Sequence, residues 1–278
     1  MCDNSGSAWG TFNSEYGTMT IAEIGNLSSV ITAMNSEDGE IFAFGGAVMR
    51  IDGLQKMTLL DFPGKVACTV FTGGCNFRCP FYHNALLVTE LPENPDYSIE
   101  EIFSFLKKRC GLLDGVAITG GEPLMNPDIA DFIRQVRDLG YSVKLDTNGS
   151  YPERLKNIVG EGLVDYVAMD IKNCKEKYAE TIGLKSCDLS RIEESVDFLK
   201  SGTVDYEFRT TIVNEFHTVE DIRNAAEWIK GAKRYFLQNF VDSGNLIDGS
   251  VTGVGKQTML EMQKAAADFV LQTEIRGI

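Results

Sequence analysis

From residue 64 onward, short β-branched apolar runs alternate with amphipathic stretches of helical period, the order expected of successive βαβ units. The candidate strands span residues 66–72, 115–119, 141–146, 164–170, 206–213 and 234–240. Most are near-continuous apolar runs, as strands covered on both faces require. Helix starts are marked between them. Ser98-Ile-Glu-Glu101 and Ser190-Arg-Ile-Glu193 read as capping boxes, and Asn126-Pro127 reads as an N-cap with proline at the first helical position. Gly140 closes that helix, and a last helix is expected over residues 256–271. Six strands with about six helices fit either an open doubly wound sheet or a curved partial barrel. Strand count alone does not choose between them.

In both architectures chemistry collects at the C-terminal edge of the sheet. The first candidate strand runs into Thr72-Gly-Gly-Cys-Asn-Phe-Arg-Cys-Pro-Phe-Tyr-His-Asn84, and the second into Gly120-Gly-Glu-Pro123. The third ends in Asp146-Thr-Asn-Gly149, the fourth in Met169-Asp-Ile-Lys172, and the fifth carries Arg209. Five strand ends therefore bring polar, glycine-rich or ligating groups to one rim, which defines a candidate site.

Composition narrows the partners. At 278 residues, 44% hydrophobic and 24% charged, the chain can bury a large core. It has 40 acidic and 26 basic side chains, a formal net charge of −14. No nucleic-acid or anionic-membrane partner is expected, because both demand a Lys/Arg excess. No apolar run of about 18 residues and no basic leader occurs, so a soluble, cytoplasmic protein is expected. In that compartment cysteines serve as ligands or reactive groups more often than in disulfides. Residues 1–48 stand apart, with six acids and no Lys or Arg. This Gly-, Ser-, Thr- and Asn-rich segment reads as a start placed too far upstream, a poorly ordered extension, or a small functional module. Residues 49–278 hold all 26 basic residues against 34 acids.

Cys75 and Cys79, spaced C-x3-C after Gly73-Gly74, suit an iron–sulfur cluster, since thiolates bind iron and flexible backbone turns amides toward the sulfides. A cubane needs more than two protein ligands. The loop resembles that of the radical S-adenosyl-L-methionine (SAM) superfamily, whose signature is C-x3-C-x2-C with an aromatic residue before the last cysteine. Cys75, Cys79 and Phe81 match, and Tyr82 stands at the third cysteine position. The resemblance implies a [4Fe-4S] cluster held by three cysteines, with the fourth iron open to the amino and carboxylate groups of SAM.

Gly120, Gly121, Glu122 and Pro123 resemble the family's GGE segment along the methionyl group, with Glu122 available to the ammonium and the glycines permitting close approach. The alternative is a plain strand-to-helix turn. Asp146-Thr147-Asn148-Gly149 and Met169-Asp170-Ile171-Lys172 resemble strand ends of glycyl-radical-enzyme activases. The resemblance implies that they contact SAM and hold a monovalent cation near its carboxylate, with Asp146, Thr147, Met169 and Asp170 as candidates. An Asp at a strand end also serves as a helix cap. Arg209 resembles the activase arginine that meets the SAM carboxylate, with a surface ion pair as the alternative.

The Gly53-Leu-Gln-Lys-Met-Thr-Leu-Leu-Asp-Phe-Pro-Gly64 opening, Tyr82-His83-Asn84 and the closing Glu274-Ile-Arg-Gly277 are most similar to anaerobic ribonucleoside-triphosphate reductase activating proteins. The resemblance covers residues 49–278 and leaves 1–48 unmatched. It implies a radical SAM core domain built as a partial (β/α)6 barrel, with an irregular N-terminal extension. It further implies reductive cleavage of SAM to methionine and a 5′-deoxyadenosyl radical, then hydrogen abstraction from a glycine Cα of the reductase. A flavodoxin- or ferredoxin-type electron donor follows, with Lys107-Lys108-Arg109 as its candidate docking patch. An open barrel suits a protein glycine loop better than an enclosed metabolite. The alternatives are a SAM- or partner-binding module without radical chemistry, and a radical SAM enzyme acting on a small molecule such as a deazapurine.

Two thiolates and a phenol make a poor cubane site, because a phenol has a pKa of about 10 and is a hard oxygen donor. The cluster is then absent or labile, or Tyr82 or a nearby thiol such as Cys68 completes an altered one. Cys68 in mid-strand and Cys110 at a helix end otherwise read as structural. Cys174 and Cys187 form no auxiliary-cluster pattern. His83 reads as a brace of the cluster loop or a loop histidine with a backbone partner, and His217 as a local cap or surface residue.

Overall fold

The computed structural model describes residues 11–14, 17–20, 49–82, 87–88, 91, 93–242, 247 and 250–277. The chain divides into two units, Met1–Val48 and Met49–Ile278. In the first, strands β1 (Thr11–Ser14) and β2 (Gly17–Thr20) pair antiparallel, Thr11 opposite Thr20. Cys2 lies outside the described residues.

The second unit holds one sheet of β3 (Ile51–Thr58), β4 (Ala67–Thr72), β5 (Gly115–Gly120), β6 (Ser142–Thr147), β7 (Tyr166–Asp170), β8 (Asp205–Ile212), β9 (Arg234–Asn239) and β10 (Gln272–Arg276). The helices are α1 (Ile99–Arg109), α2 (Ile129–Asp138), α3 (Pro152–Gly160), α4 (Tyr178–Thr181), α5 (Ser190–Lys200), α6 (Val219–Trp228) and α7 (Lys256–Ala267). From β4 to β10 every neighbouring pair is parallel and spatial order follows chain order, while β3 pairs antiparallel with β4 at the edge. A doubly wound sheet reverses its strand order at a switch point. This sheet never reverses, so it is wound in one direction, as a barrel is, and left open between β3 and β10.

All six expected strands form. The sheet also carries a seventh parallel strand, β10, and the antiparallel β3. Both lie at edges, where a continuous apolar run is not required. β10 reads Gln-Thr-Glu-Ile-Arg, and the register of β3 shifts twice, between Ile51 and Gly53 and between Gln55 and Thr58, which breaks any two-residue alternation.

One face of the parallel strands is apolar and packs under the helices: Val70, Ile118, Leu145, Val167, Phe208 and Leu237 are fully buried with Ile102, Ile133, Ile158, Val196 and Ile222. The opposite face carries the alternating polar set Thr69, Lys144, Asp146, Asp170, Glu207 and Arg209, because successive strand side chains point to opposite sides. Its base is closed by a separate apolar cluster of Phe62, Ala67, Tyr166 and Ala168. Gly115 makes room for Phe62, whose ring would lie 2.9 Å from a Cβ there.

Several local expectations are corrected. The box at Ser98 forms reciprocally with Glu101, but the one at Ser190 does not. Asp188 captures both the Ser190 N–H (3.1 Å) and hydroxyl (2.7 Å), and Leu189 takes the cap position with helical angles. The helix expected to start at Pro127 begins at Ile129, and the preceding Asp128 accepts the Met49 N–H at 2.7 Å instead of capping α2. Gly140 follows α2 with φ +88° and donates to the Arg137 carbonyl, as a helix stop does. The last helix ends at Ala267, and residues 268–271 turn into β10. His217 is neither cap nor surface residue. It is 3% exposed, and its ring joins Val213 through Nδ1 and the Lys172 carbonyl through Nε2 (2.8 Å). Thr218 and Asp221 form the capping box of α6.

Candidate active site at the C-terminal edge of the sheet

The cysteine loop leaves β4 beside the end of β5, where Thr72 and Gly120 stand in register. The Gly121 N–H donates to the Thr72 carbonyl and the Glu122 N–H to the Gly74 carbonyl, both at 2.8 Å. A Cβ at Gly121 would lie 1.8 Å from the Gly74 oxygen, and one at Gly120 would lie 2.3 Å from the Thr72 oxygen with φ +112°. The two glycines are therefore demanded by the backbone of the cysteine loop itself.

A cavity opens between that loop and the strand ends. Cys75, Phe77, Cys79 and Tyr82 line it from the loop; Thr119, Gly120 and Gly121 from the end of β5 and the turn after it; Asp146, Thr147 and Asn148 from the end of β6 and the residue beyond it. Asp170 at the end of β7 and Lys172 just after it also line it, with Arg209 from β8. The structure thus brings together Cys75, Cys79, Tyr82 and eight of the eleven residues expected around SAM. The exceptions are Glu122, Pro123 and the fully buried Met169, which are not on the cavity wall.

Glu122 is fully buried behind the wall. Its carboxylate accepts the Leu124 N–H (3.0 Å), the Thr147 hydroxyl (2.8 Å) and the Asn148 N–H (2.7 Å). Instead of standing open to an ammonium, it ties the β5 turn to the end of β6. Burial pushes its pKa up to about 7 against the pull of these three donors.

The charged side chains form a continuous ladder. Arg209 reaches Asp146 Oδ2 at 3.1 Å and Asp170 Oδ1 at 3.0 Å. Lys172 holds Asp170 Oδ2 at 2.8 Å, and Lys144 pairs with Asp146 Oδ1. Burial would raise the Asp170 carboxyl, but Arg209 and Lys172 more than offset it and bring it to about 2. Asp146 is likewise held below the usual carboxylate range, with Arg209 and Lys144 outweighing burial.

The thiols lie on the loop side of the same cavity. Burial pushes Cys75 up to about 12, with the Phe77 N–H on its sulfur (3.4 Å) acting in the opposite direction. Cys79, 5% exposed, is also raised by burial, against the nearby Lys172 ammonium. Tyr82 donates its hydroxyl proton to the Gly120 carbonyl at 2.5 Å, and burial raises its pKa. Asn76, Asn148 and Ser150 brace the loop: Asn148 Nδ2 donates to Asn76 Oδ1 and Asn76 Nδ2 to Ser150 Oγ, both at 2.9 Å.

Asn76, Lys144 and Ser150 were not singled out from the sequence. Lys144 had one available signal, its place two residues before Asp146 in a strand, which puts both on one face. Asn76 and Ser150 meet only through the fold. Cys68 does not complete the thiol set. It is fully buried opposite Val116, about 13 Å of strand before Thr72. The Lys107-Lys108-Arg109 patch ends α1 just before β5 begins, so it lies toward the opposite edge of the sheet from the cavity. Cys110 there is exposed. His83 and Asn84 lie outside the described residues. Among the described residues no helix is long and apolar enough to cross a membrane, and no group of three or more His, Cys, Asp or Glu side chains converges as a metal set.

Residues 69–229 match the radical SAM superfamily. A Methanocaldococcus jannaschii protein, provisionally named a glycyl-radical enzyme activating enzyme, is 31% identical over 194 residues, 68% of this chain and 79% of that protein. The 7-carboxy-7-deazaguanine synthase of Halobacterium salinarum is 31% identical over 121 residues, 42% of this chain and 43% of that enzyme. Among solved structures, a radical SAM methyltransferase from Sphaerobacter thermophilus aligns with a TM-score of 0.59 at 10% identity, over 80% of this chain and 69% of that one, a likeness of fold.

Proposed function

Because this chain belongs to the radical SAM superfamily of enzymes, we propose that it is a glycyl-radical-enzyme activating protein that binds SAM at the C-terminal edge of its sheet and assembles its cluster poorly. The observation that carries this reading is that Cys75 and Cys79 line one cavity together with the Asp146–Arg209–Asp170–Lys172 ladder. Arg209 and Lys172 suit a carboxylate, Asn148 offers a neutral amide, and Gly120-Gly121 leaves backbone open to a ligand lying along it. The superfamily implies a [4Fe-4S] cluster and SAM. This donor set does not fit the three-thiolate site: the third position holds a protonated phenol directed at the Gly120 carbonyl, so no reaction step is derived through the cluster.

Anaerobic ribonucleoside-triphosphate reductase is the proposed target, on the resemblance of residues 53–64 and 274–277. The open side of the sheet between β3 and β10 supports a protein glycine loop as substrate over an enclosed metabolite. A low-potential flavodoxin or ferredoxin in the cytoplasm is the proposed donor. Its docking is assigned to the cavity edge, since the Lys107-Lys108-Arg109 patch lies at the far edge.

Iron and sulfide counting on anaerobically reconstituted protein tests the reading, beside Tyr82→Cys and with SAM binding measured on both. The wild-type chain is expected to hold well under one cluster while binding SAM, and Tyr82→Cys to gain iron and form 5′-deoxyadenosine. A full [4Fe-4S] signal with deoxyadenosine formation in the wild type would overturn the impaired cluster. SAM binding with no gain of iron in Tyr82→Cys would favour a SAM-binding module without radical chemistry, the reading that the bonded Tyr82 hydroxyl also supports.

A further inference from the structure

The resemblance that implies SAM also implies a monovalent cation beside its carboxylate, and the residues assigned to that ion are already engaged. Asp146 has Lys144 on one oxygen and Arg209 on the other. Asp170 has Arg209 and Lys172. The Thr147 hydroxyl donates to Glu122 and accepts the Gly149 N–H at 3.1 Å. Met169 packs its thioether where a side chain on Gly149 would stand, its sulfur 2.9 Å from a Cβ there. The buried side-chain oxygens left without a partner among the described residues belong to Asp52, Asp128, Tyr178 and Thr273, none of them in this set.

Lys144 accounts for the difference. Its side chain is 3% exposed, and β6 places it on the same face as Asp146 two residues later, with the ammonium against the carboxylate. An ammonium carries one positive charge, as a potassium ion does, and differs in being tethered. With Lys144 counted, the ladder sets three cations, Lys144, Lys172 and Arg209, against the two carboxylates Asp146 and Asp170. A further cation would enlarge that surplus and compete for carboxylate oxygens that already carry an ammonium or a guanidinium. Two further acids lie near the ladder: Glu122, whose carboxylate takes N–H and O–H donors behind the wall, and Glu207, which Arg276 holds at 2.8 Å.

We propose that Lys144 is a built-in replacement for the mobile monovalent cation: its ammonium fixes Asp146 from behind the cavity wall and leaves the Lys144–Asp146–Arg209–Asp170–Lys172 ladder one positive charge in excess beside an incoming carboxylate. Lys144 is a positioning residue, acting on the ligand through Asp146. The role of the surplus charge rests on the SAM reading above, whereas the exclusion of a free cation does not.

The test uses the whole chain as purified, without cluster or SAM. Melting temperatures are compared in potassium chloride and tetramethylammonium chloride at matched ionic strength, for wild type, Lys144→Met and Lys144→Arg. The wild type and Lys144→Arg are expected to melt alike in both salts. Lys144→Met is expected to melt lower in tetramethylammonium and to recover about 3 °C or more in potassium, because a bound ion stabilises only the folded state. A potassium-specific rise in the wild type as large as in Lys144→Met would overturn the proposal, as would a folded Lys144→Met without such a rise. If Lys144→Met does not fold, thallium(I) NMR on the wild type decides. Absence of line broadening supports the proposal, and broadening abolished by Asp146→Asn overturns it. SAM affinity, titrated separately, reports on the functional reading, so the two can fail independently.

Discussion

The Tyr82 hydroxyl stands 2.5 Å from the Gly120 carbonyl, 38 residues away in sequence, and its proton points at that oxygen. The bond fastens the third position of the cysteine loop to the turn after β5. Tyr82→Phe removes it while keeping the ring. It is expected to cost about 1 kcal/mol in urea unfolding and to leave iron content at the wild-type level. A rise in iron on losing only the hydroxyl would mean that the bond itself, and not the missing thiol, limits the cluster.

Gly121→Ala is expected to be far more damaging than an exposed glycine substitution such as Gly160→Ala, where a Cβ meets nothing within 4 Å. The added methyl would enter the Gly74 carbonyl at 1.8 Å, so the cysteine loop must shift. A loss of about 2 kcal/mol or more is expected, with cluster loading and SAM binding lost together. Unchanged SAM affinity in a folded Gly121→Ala protein would show that the loop contact does not shape the cavity.

Arg209→Met leaves Asp146 and Asp170 facing each other with one cation each. Removing one partner from a buried ionic network costs about 3–5 kcal/mol, and chemical denaturation is expected to show a loss in that range. Arg209→Lys is expected to recover only part of it, because a point ammonium cannot reach both carboxylates as the guanidinium fork does. Full recovery with lysine would argue against that bridging geometry.

Asp170 gives the acid limb a definite sign. Its folded pKa of about 2 lies below the ordinary value of 3.8, so its ionised form stabilises the fold above about pH 4, and that contribution disappears as the pH falls toward 2. The shift corresponds to about 2 kcal/mol. Urea midpoints between pH 5 and pH 2.5 should fall more steeply for the wild type than for Asp170→Asn, which lacks the titrating group. Parallel slopes would show that Asp170 is not held low.

Much of this was legible before folding. The thiol pair, the glycine pair and the three polar strand ends are contiguous motifs, and period and capping residues placed the strands that carry them. The apolar runs that mark β4 to β9 reflect burial on both faces. β3 and β10 were missed for the same reason, since an edge strand need not be apolar. The failed box at Ser190 shows the limit of a local motif, because Asp188 competes for the same donors. Asp128 shows another, being drawn away from its helix by Met49, 79 residues distant.

The sequence by itself determined which groups reach the rim, since a strand's two-residue alternation assigns each side chain to a face and the following loop to an edge. It also set the chemistry at residue 82, where a phenol replaces a thiol. Only the tertiary structure decided how those groups share one another's charges. Glu122 became an internal tie because three donors from two chain segments converge on it, and Lys144 became part of the site because β6 and β8 lay its ammonium and the Arg209 guanidinium on the same carboxylate. Such sharing depends on distances between segments remote in sequence, and burial there makes each unpaired charge costly enough to fix the arrangement.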